Sequence, residues 1–428
     1  MTDWETVDFF SDRELVEDPY PYFDQLRDQC PVLPLPHLGV VAVTGFEEAS
    51  QAYFDPDNLS SVNSVIGPFV QFPVPLEGDD LSALVEKYRD QIPMNEHMVT
   101  MDSPAHTRER ALLMRLITSK RLKENEEFMT RLSDQLLDEF IATGHCEFIG
   151  AYSKPFAMLV VADLLGVPES EYQRFREGFG MSMAPGQVGS ATHGEANLNP
   201  LSWLDDWFAH YIEDRRREPQ KDVLTDLAKA TYPDGTEPDV ISVVRTATFL
   251  FAAGQETTAK LLAVALKYLA ENPELQDELR ANPEMTSRFI EESLRIESPV
   301  KADFRFALRK TTVGGVEIAP GTPVMLLNGA ANRDPRRFEC PDEFRVDRHN
   351  SRAHMAFGRG NHTCPGGPLA RAEGRVSLER ILSRTRNIRL SEEHHGPPGD
   401  RRFDYEPTWV LRGLTNLHLE FTPVEAPQ

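Results

Sequence analysis

The chain has 428 residues, of which 40% are hydrophobic and 26% charged, and a formal charge of −23 at pH 7. The surplus of acid excludes general nucleic-acid binding, which needs excess Lys and Arg against phosphate, and the composition excludes a disordered or fibrous protein. Four cysteines (Cys30, Cys146, Cys340 and Cys364) are widely separated, too few for a disulfide framework and without paired metal-ligand spacing, so a reducing compartment fits.

The N-terminus carries no basic region followed by an apolar run and the chain shows no membrane span, so the protein is expected in the cytoplasm. No linker or composition break divides it, and residues 1–428 read as one large domain. Gly39 to Gly45 is a β-branched run bounded by glycines, and 46–54 then reads as an amphipathic helix. Residues 55–104 mix prolines, glycines and aromatics around a short helix at 81–88, and so long an irregular stretch is usually functional. From His106 to Lys123, Arg108, Arg110, Arg115, Lys120, Arg121 and Lys123 face the single acid Glu109. That basic patch is either a docking face for an acidic partner or a solvated helix face. Helical patterns run over 105–143, 156–165, 169–179, 203–217, 240–271 and 285–296. Residues 180–199, rich in Met, Gly, Ser and Ala, read as a lid over a pocket or as a plain surface loop. Strand signals return at 311–318 and 323–327, and 410–421 alternates like a hairpin strand. The fold class is mainly α with a minor β-sheet region.

Three stretches carry chemistry. Met355 to Gly366 presents Cys364 in a glycine-rich loop ahead of an apolar helix, an arrangement that suits axial ligation of haem iron by one thiolate; the alternative is a structural cysteine near a helix start. Phe249 to Thr258 places small residues, an acid and two hydroxyls inside an apolar helix, where local rule-breaking often marks function. Ala253 and Gly254 let a flat ligand approach the backbone, and a threonine hydroxyl can open the helix locally. Glu292 and Arg295 share one helical face.

In order and spacing, and over nearly all of the chain, these segments resemble the cytochrome P-450 superfamily of haem-thiolate monooxygenases. The resemblance implies the P-450 fold, a triangular helical prism with buried haem. Its β-rich part would fall at about 30–50 and 300–330, its haem-binding helical core at about 105–296 and 350–390. It implies haem b and dioxygen as cofactors, with Cys364 as the iron ligand and Phe357, Gly358, Ala253 and Gly254 against the haem. Thr257 would deliver protons with Glu256 behind it, since cleaving dioxygen requires two protons at the distal oxygen. The propionates would be held by His106, Arg110, Arg305 and His362, with His354 a fifth candidate. Glu292 and Arg295 match the family's structural Glu-x-x-Arg motif; where its third arm often stands, this chain has Glu343, leaving Arg345 or Arg348. Met94, Met98, Val99, Phe249, Ala252, Lys301, Ala302, Asp303, Val410 and Leu411 would line a pocket for a terpenoid, steroid or aromatic. With no flavin or iron–sulfur segment, NAD(P)H electrons would arrive through a separate reductase and ferredoxin docking on the basic patch near Arg371 and Arg375. The protein is expected to act as a monomer. Pro365, lacking an N–H, removes one donor to the thiolate and should lower the haem potential. The other readings are a peroxide-driven peroxygenase, a haem-binding sensor or carrier without turnover, and a zinc-binding structural protein.

Overall fold

The computed structural model describes residues 5–176, 199 and 201–424, so the 180–199 segment, Asn199 apart, lies outside the described residues. Among the described residues ten strands form three small sheets: β1 (Val32–Leu35), β2 (Val40–Val43), β3 (Leu59–Ser60), β4 (His145–Glu147), β5 (Asp303–Ala307), β6 (Thr311–Val313), β7 (Val316–Ile318), β8 (Pro323–Leu326), β9 (Thr385–Leu390) and β10 (His418–Pro423). The largest has the order β1-β2-β8-β5-β3, so strands near the N-terminus pair with strands from beyond residue 300. Its alternation directs Met325, Phe304 and Ala42 to one face with Trp409, and Val324, Leu326 and Val43 to the other with Phe46 and Tyr53.

The helices that position the site are α1 (Phe46–Tyr53), α2 (Ala105–Leu113), α3 (Ser119–Phe140), α4 (Lys154–Leu165), α5 (Ser202–Arg217), α6 (Val240–Glu271), α7 (Thr286–Ile296) and α8 (Gly367–Arg384). α6 runs 32 residues without a proline and stops ahead of Pro273. Residues 258–266 are buried on every side, the mark of a helix through the middle of a core. The helical pattern over 105–143 divides in two. Thr118 takes extended backbone and its hydroxyl accepts from the Arg121 amide at 3.3 Å, capping α3 rather than continuing α2. The expected strand over 410–421 begins only at His418; upstream, the Glu406 amide donates to the Gly413 carbonyl and the chain makes a turn.

Beneath the cysteine loop, Glu292 and Arg295 on α7 are fully buried and joined by two hydrogen bonds of 2.7 and 2.8 Å. Arg348 is the third arm, its Nε 3.0 Å from Glu292 Oε1. Arg345 offers only its backbone amide to that carboxylate, and its guanidinium pairs with Asp347 at the surface. Arg295 and Arg348 also donate to the carbonyls of Asn332, Pro341, Cys340 and Glu343, so a buried ion network here fixes an irregular backbone. Among the described residues no helix is long and apolar enough to cross a membrane.

Candidate functional site

The cysteine loop is anchored at both ends. The Met355 amide donates to Asn332 Oδ1 at 2.6 Å, and the Cys364 amide to the Phe357 carbonyl at 2.8 Å. Gly360 has φ +67°, and a Cβ there would fall 2.3 Å from the Tyr53 carbonyl, so the loop lies on the end of α1 only because that position is glycine. Phe357 packs under the Arg371 guanidinium, 4.6 Å from its ring. Cys364 is exposed as a residue, yet protein crowds its thiol, as on the wall of a cleft. Desolvation raises its pKa above the ordinary thiol value, opposed by the amides of Gly366 and Gly367 and by Arg110 and Arg371. Pro365 contributes no amide.

Beside the thiol, α2, β5 and the loop bring four cationic or donor groups together. The rings of His106 and His362 stand 3.9 Å apart, and Arg110 Nη2 donates to the Thr363 carbonyl at 2.6 Å. Burial, then Arg110, hold the His106 pKa down to about 4. Burial, then Arg305, His106 and Arg110, hold that of His362 down to about 2. His106 Nε2 and Arg110 Nη1 are buried without a hydrogen-bond partner. Crowded donors with orphaned atoms suit a ligand that brings carboxylates, so the residues present fit haem propionates beside a thiolate ligand.

His354 is not among them. Its Nε2 faces Glu291 at 3.0 Å and its Nδ1 accepts from the Ala356 amide, leaving neither ring nitrogen for a propionate. Glu291 gathers His354, Arg371 and Arg352; burial alone would raise its pKa, and His354 and Arg371 outweigh burial and bring it to about 2.

On α6, Ala253 is exposed although the helix is otherwise largely buried, which opens its backbone to the cleft. Gly254 faces the other way. A Cβ there would lie 2.9 Å from Val161 Cγ2, so this glycine serves the approach of α6 to α4 rather than of a flat ligand. Thr257 Oγ1 donates to the Ala253 carbonyl at 2.8 Å, and the helix is unbroken there rather than opened. Glu256 is paired with Lys260 one turn on; the sequence reading missed Lys260, although its i,i+4 spacing was visible.

The expected pocket residues fall into two groups. Met94, Met98, Val99, Phe249 and Ala252 share the core cluster built around α3, α4 and α6. Ala302, Val410 and Leu411 belong to the cluster on one face of the large sheet. Lys301 is 3% exposed and makes no ion pair among the described residues, and burial lowers its pKa to about 7. Asp303 pairs with Arg305 at 3.0 Å and accepts from the Tyr53 hydroxyl, so it is not a partner of Lys301. Of the basic patch, Arg115 donates to the Thr231 carbonyl, Arg121 pairs with Asp226, and Arg108 lies 3.8 Å from the Tyr232 ring. Arg371 and Arg375 are likewise paired, with Glu291 and Glu126. They border a surface cavity of about 230 Å³ of mixed charge. Lys120 and Lys123 stay exposed.

Comparison with known proteins identifies the family and the fold. The family described as "Cytochrome P450" matches residues 199–398. Cytochrome P450 144 of Mycobacterium tuberculosis is 32% identical, over 92% of this chain and 88% of its own length. The 6-deoxyerythronolide B hydroxylase of Saccharopolyspora erythraea is 31% identical, over 86% of this chain and 88% of its own. The substrate-free structure of Mycobacterium marinum cytochrome P450 CYP150A6 superposes with a TM-score of 0.93 at 59% identity, covering 99% of this chain and 100% of that one.

Proposed function

The chain belongs to the cytochrome P450 family and is a monooxygenase oxidoreductase of it, and on that premise we propose that it hydroxylates a hydrophobic small molecule such as a terpenoid, steroid or aromatic compound. The observation that carries the reading is the convergence of His106, Arg110, Arg305 and His362 beside Cys364. When bound, haem b supplies activation of dioxygen, with one oxygen atom entering the substrate and the other leaving as water.

In this reading Cys364 holds the iron, and the four neighbouring groups hold the propionates. His106 Nε2 and Arg110 Nη1 would find partners in the propionate carboxylates, whose charge would offset the positive charge that adds to burial in lowering both histidine pKa values. Thr257 passes a proton at Oγ1, which requires the hydroxyl to turn from the Ala253 carbonyl, and Glu256 beside it, partly open to solvent, relays protons from water to it. Met98, Val99, Phe249 and Ala252 form one apolar wall that excludes water, Val410 and Leu411 the facing one, and Lys301 offers a polar anchor between them. The proposal includes one domain over 1–428, a monomer in the cytoplasm, and electrons from NAD(P)H through a ferredoxin and its reductase.

The test is the difference spectrum of the reduced, carbon-monoxide-bound protein beside Cys364→Ser. A strongly red-shifted Soret band that the variant lacks is expected. A band like that of histidine-ligated haem, or no bound haem in well-folded protein, overturns thiolate ligation. Titration of the ferric protein with camphor and testosterone then tests the substrate class; no spin-state shift with either, or with an aromatic hydrocarbon such as naphthalene, sinks it.

A further inference from the structure

Lys260 follows Glu256 by one turn of α6, and its side chain is only 5% exposed. Its ammonium donates to Glu256 Oε1 at 3.0 Å and to Glu406 Oε2 at 2.5 Å. Its stem is gripped as well: a Cβ on Gly413 would lie 2.4 to 2.9 Å from Lys260 Cγ, Cδ and Cε, so that position has room for nothing larger than glycine. Glu406 and Gly413 form the base of a single turn, joined by a 2.9 Å hydrogen bond from the Glu406 amide to the Gly413 carbonyl, with Tyr405 bridged to Leu414 just outside. At the far end of that turn are Val410 and Leu411, held to Lys301 and Val300 through their backbones.

One ammonium therefore serves two carboxylates of different standing. Glu256 is the proton relay assigned to Thr257, while Glu406 belongs to a turn whose tip carries Val410 and Leu411, the residues assigned above to the substrate pocket. We infer that Lys260 is a positioning residue that couples occupancy of the pocket at Val410 and Leu411 to proton supply at Glu256. A partly buried ammonium divides its attraction between its acceptors, and weakening one strengthens its hold on the other. A substrate that presses on the tip shifts the base of the turn, alters the Lys260–Glu406 pair, and so changes how freely the Glu256 carboxylate turns toward Thr257. The inference rests on the roles given to Glu256, Val410 and Leu411 above.

Two measurements separate the link from that role. The holoenzyme is run with a plant-type ferredoxin, its reductase and NADPH in the absence of substrate, and the fraction of consumed dioxygen released as hydrogen peroxide is read in light and heavy water. Glu406→Gln, which leaves the ammonium to Glu256, is expected to raise the peroxide fraction and the solvent isotope effect about twofold. In a Glu256→Gln background the same substitution should change neither. Hydrogen exchange of the Glu406 and Thr415 amides gives a readout independent of turnover. Lys260→Gln should speed it about threefold, and Glu256→Gln, which frees the ammonium for Glu406, should slow it. If Glu406→Gln leaves peroxide fraction and isotope effect at wild-type values, Lys260 is only a structural brace and the inference falls. If Glu256→Gln alone leaves the peroxide fraction unchanged, the proton-delivery role of Glu256 is what fails; unaltered amide exchange in that variant then overturns the link as well.

Discussion

Between Cys364 and the body of α8 stand Pro365, Gly366 and Gly367, and only the two glycines can direct an amide at the sulfur. Each donor draws electron density from a thiolate, so Pro365→Leu, which restores an N–H, is expected to raise the ferric/ferrous midpoint potential; spectroelectrochemical titration checks it, and an unchanged potential refutes it. The placement of Cys364 in an open loop was legible from sequence because glycines on both sides of it, just ahead of a helix, leave the chain no regular element there. His354 and Gly254 were less legible. Whether a histidine meets a propionate or a carboxylate depends on which helix passes beneath it, and here Glu291 of α7 does. Whether a small residue faces a ligand or a neighbouring helix is decided by rotation about the helix axis, and Val161 of α4 decides it for Gly254.

At the scale of elements, α6 was readable from end to end, since a long apolar run closed by Asn272-Pro273 admits little else. The break between α2 and α3 was hidden because a single threonine cap outweighs a helical pattern that runs through it. The end of α7 shows how elements far apart in sequence are joined. Buried Glu297 accepts from Arg412 Nε at 2.8 Å and from the Tyr405 hydroxyl at 2.9 Å, and Arg412 also donates to the carbonyls of Val16 and Glu17. Burial would raise the Glu297 pKa; Lys267, Arg412 and Tyr405 outweigh it and hold the pKa near 2, below the ordinary 4.5. A depressed carboxyl contributes stability that is complete above its unfolded value and lost as pH falls toward the folded one. Glu297→Gln should therefore cost about 3–5 kcal/mol at pH 7 and flatten the decline in stability between pH 4.5 and about 2. Denaturant unfolding across that range measures both; an equally steep acid limb in the variant would show that other carboxylates set it.

Over the whole molecule, the net charge of −23 leaves an acidic partner with few places to approach. Several arginines of the basic patch and of α8 are bound to carboxylates or carbonyls, so the charge open to a partner is better represented by exposed Lys120, loosely paired with Glu124 at 3.8 Å, and Lys123 at the start of α3. Reversing both lysines to Glu should slow association with an acidic ferredoxin about tenfold at low ionic strength and have little effect in high salt. Stopped-flow reduction at two salt concentrations reads this directly, and equal rates at low salt would move the docking face elsewhere. The fold class was legible in the helical patterns, but the strand order of the large sheet was not, because pairing between strands some 280 residues apart leaves no local trace. That pairing has a consequence during synthesis. When β1 and β2 leave the ribosome, β8 has not yet been made, and the Arg412 that latches Val16 and Glu17 comes later still. The N-terminal strands can pair with each other, but the β2 edge that meets β8 must wait uncovered for most of translation. An uncovered strand edge of this kind invites mispairing while it waits, and the cysteine loop, which follows β8 in the chain, assembles only after that edge can be covered.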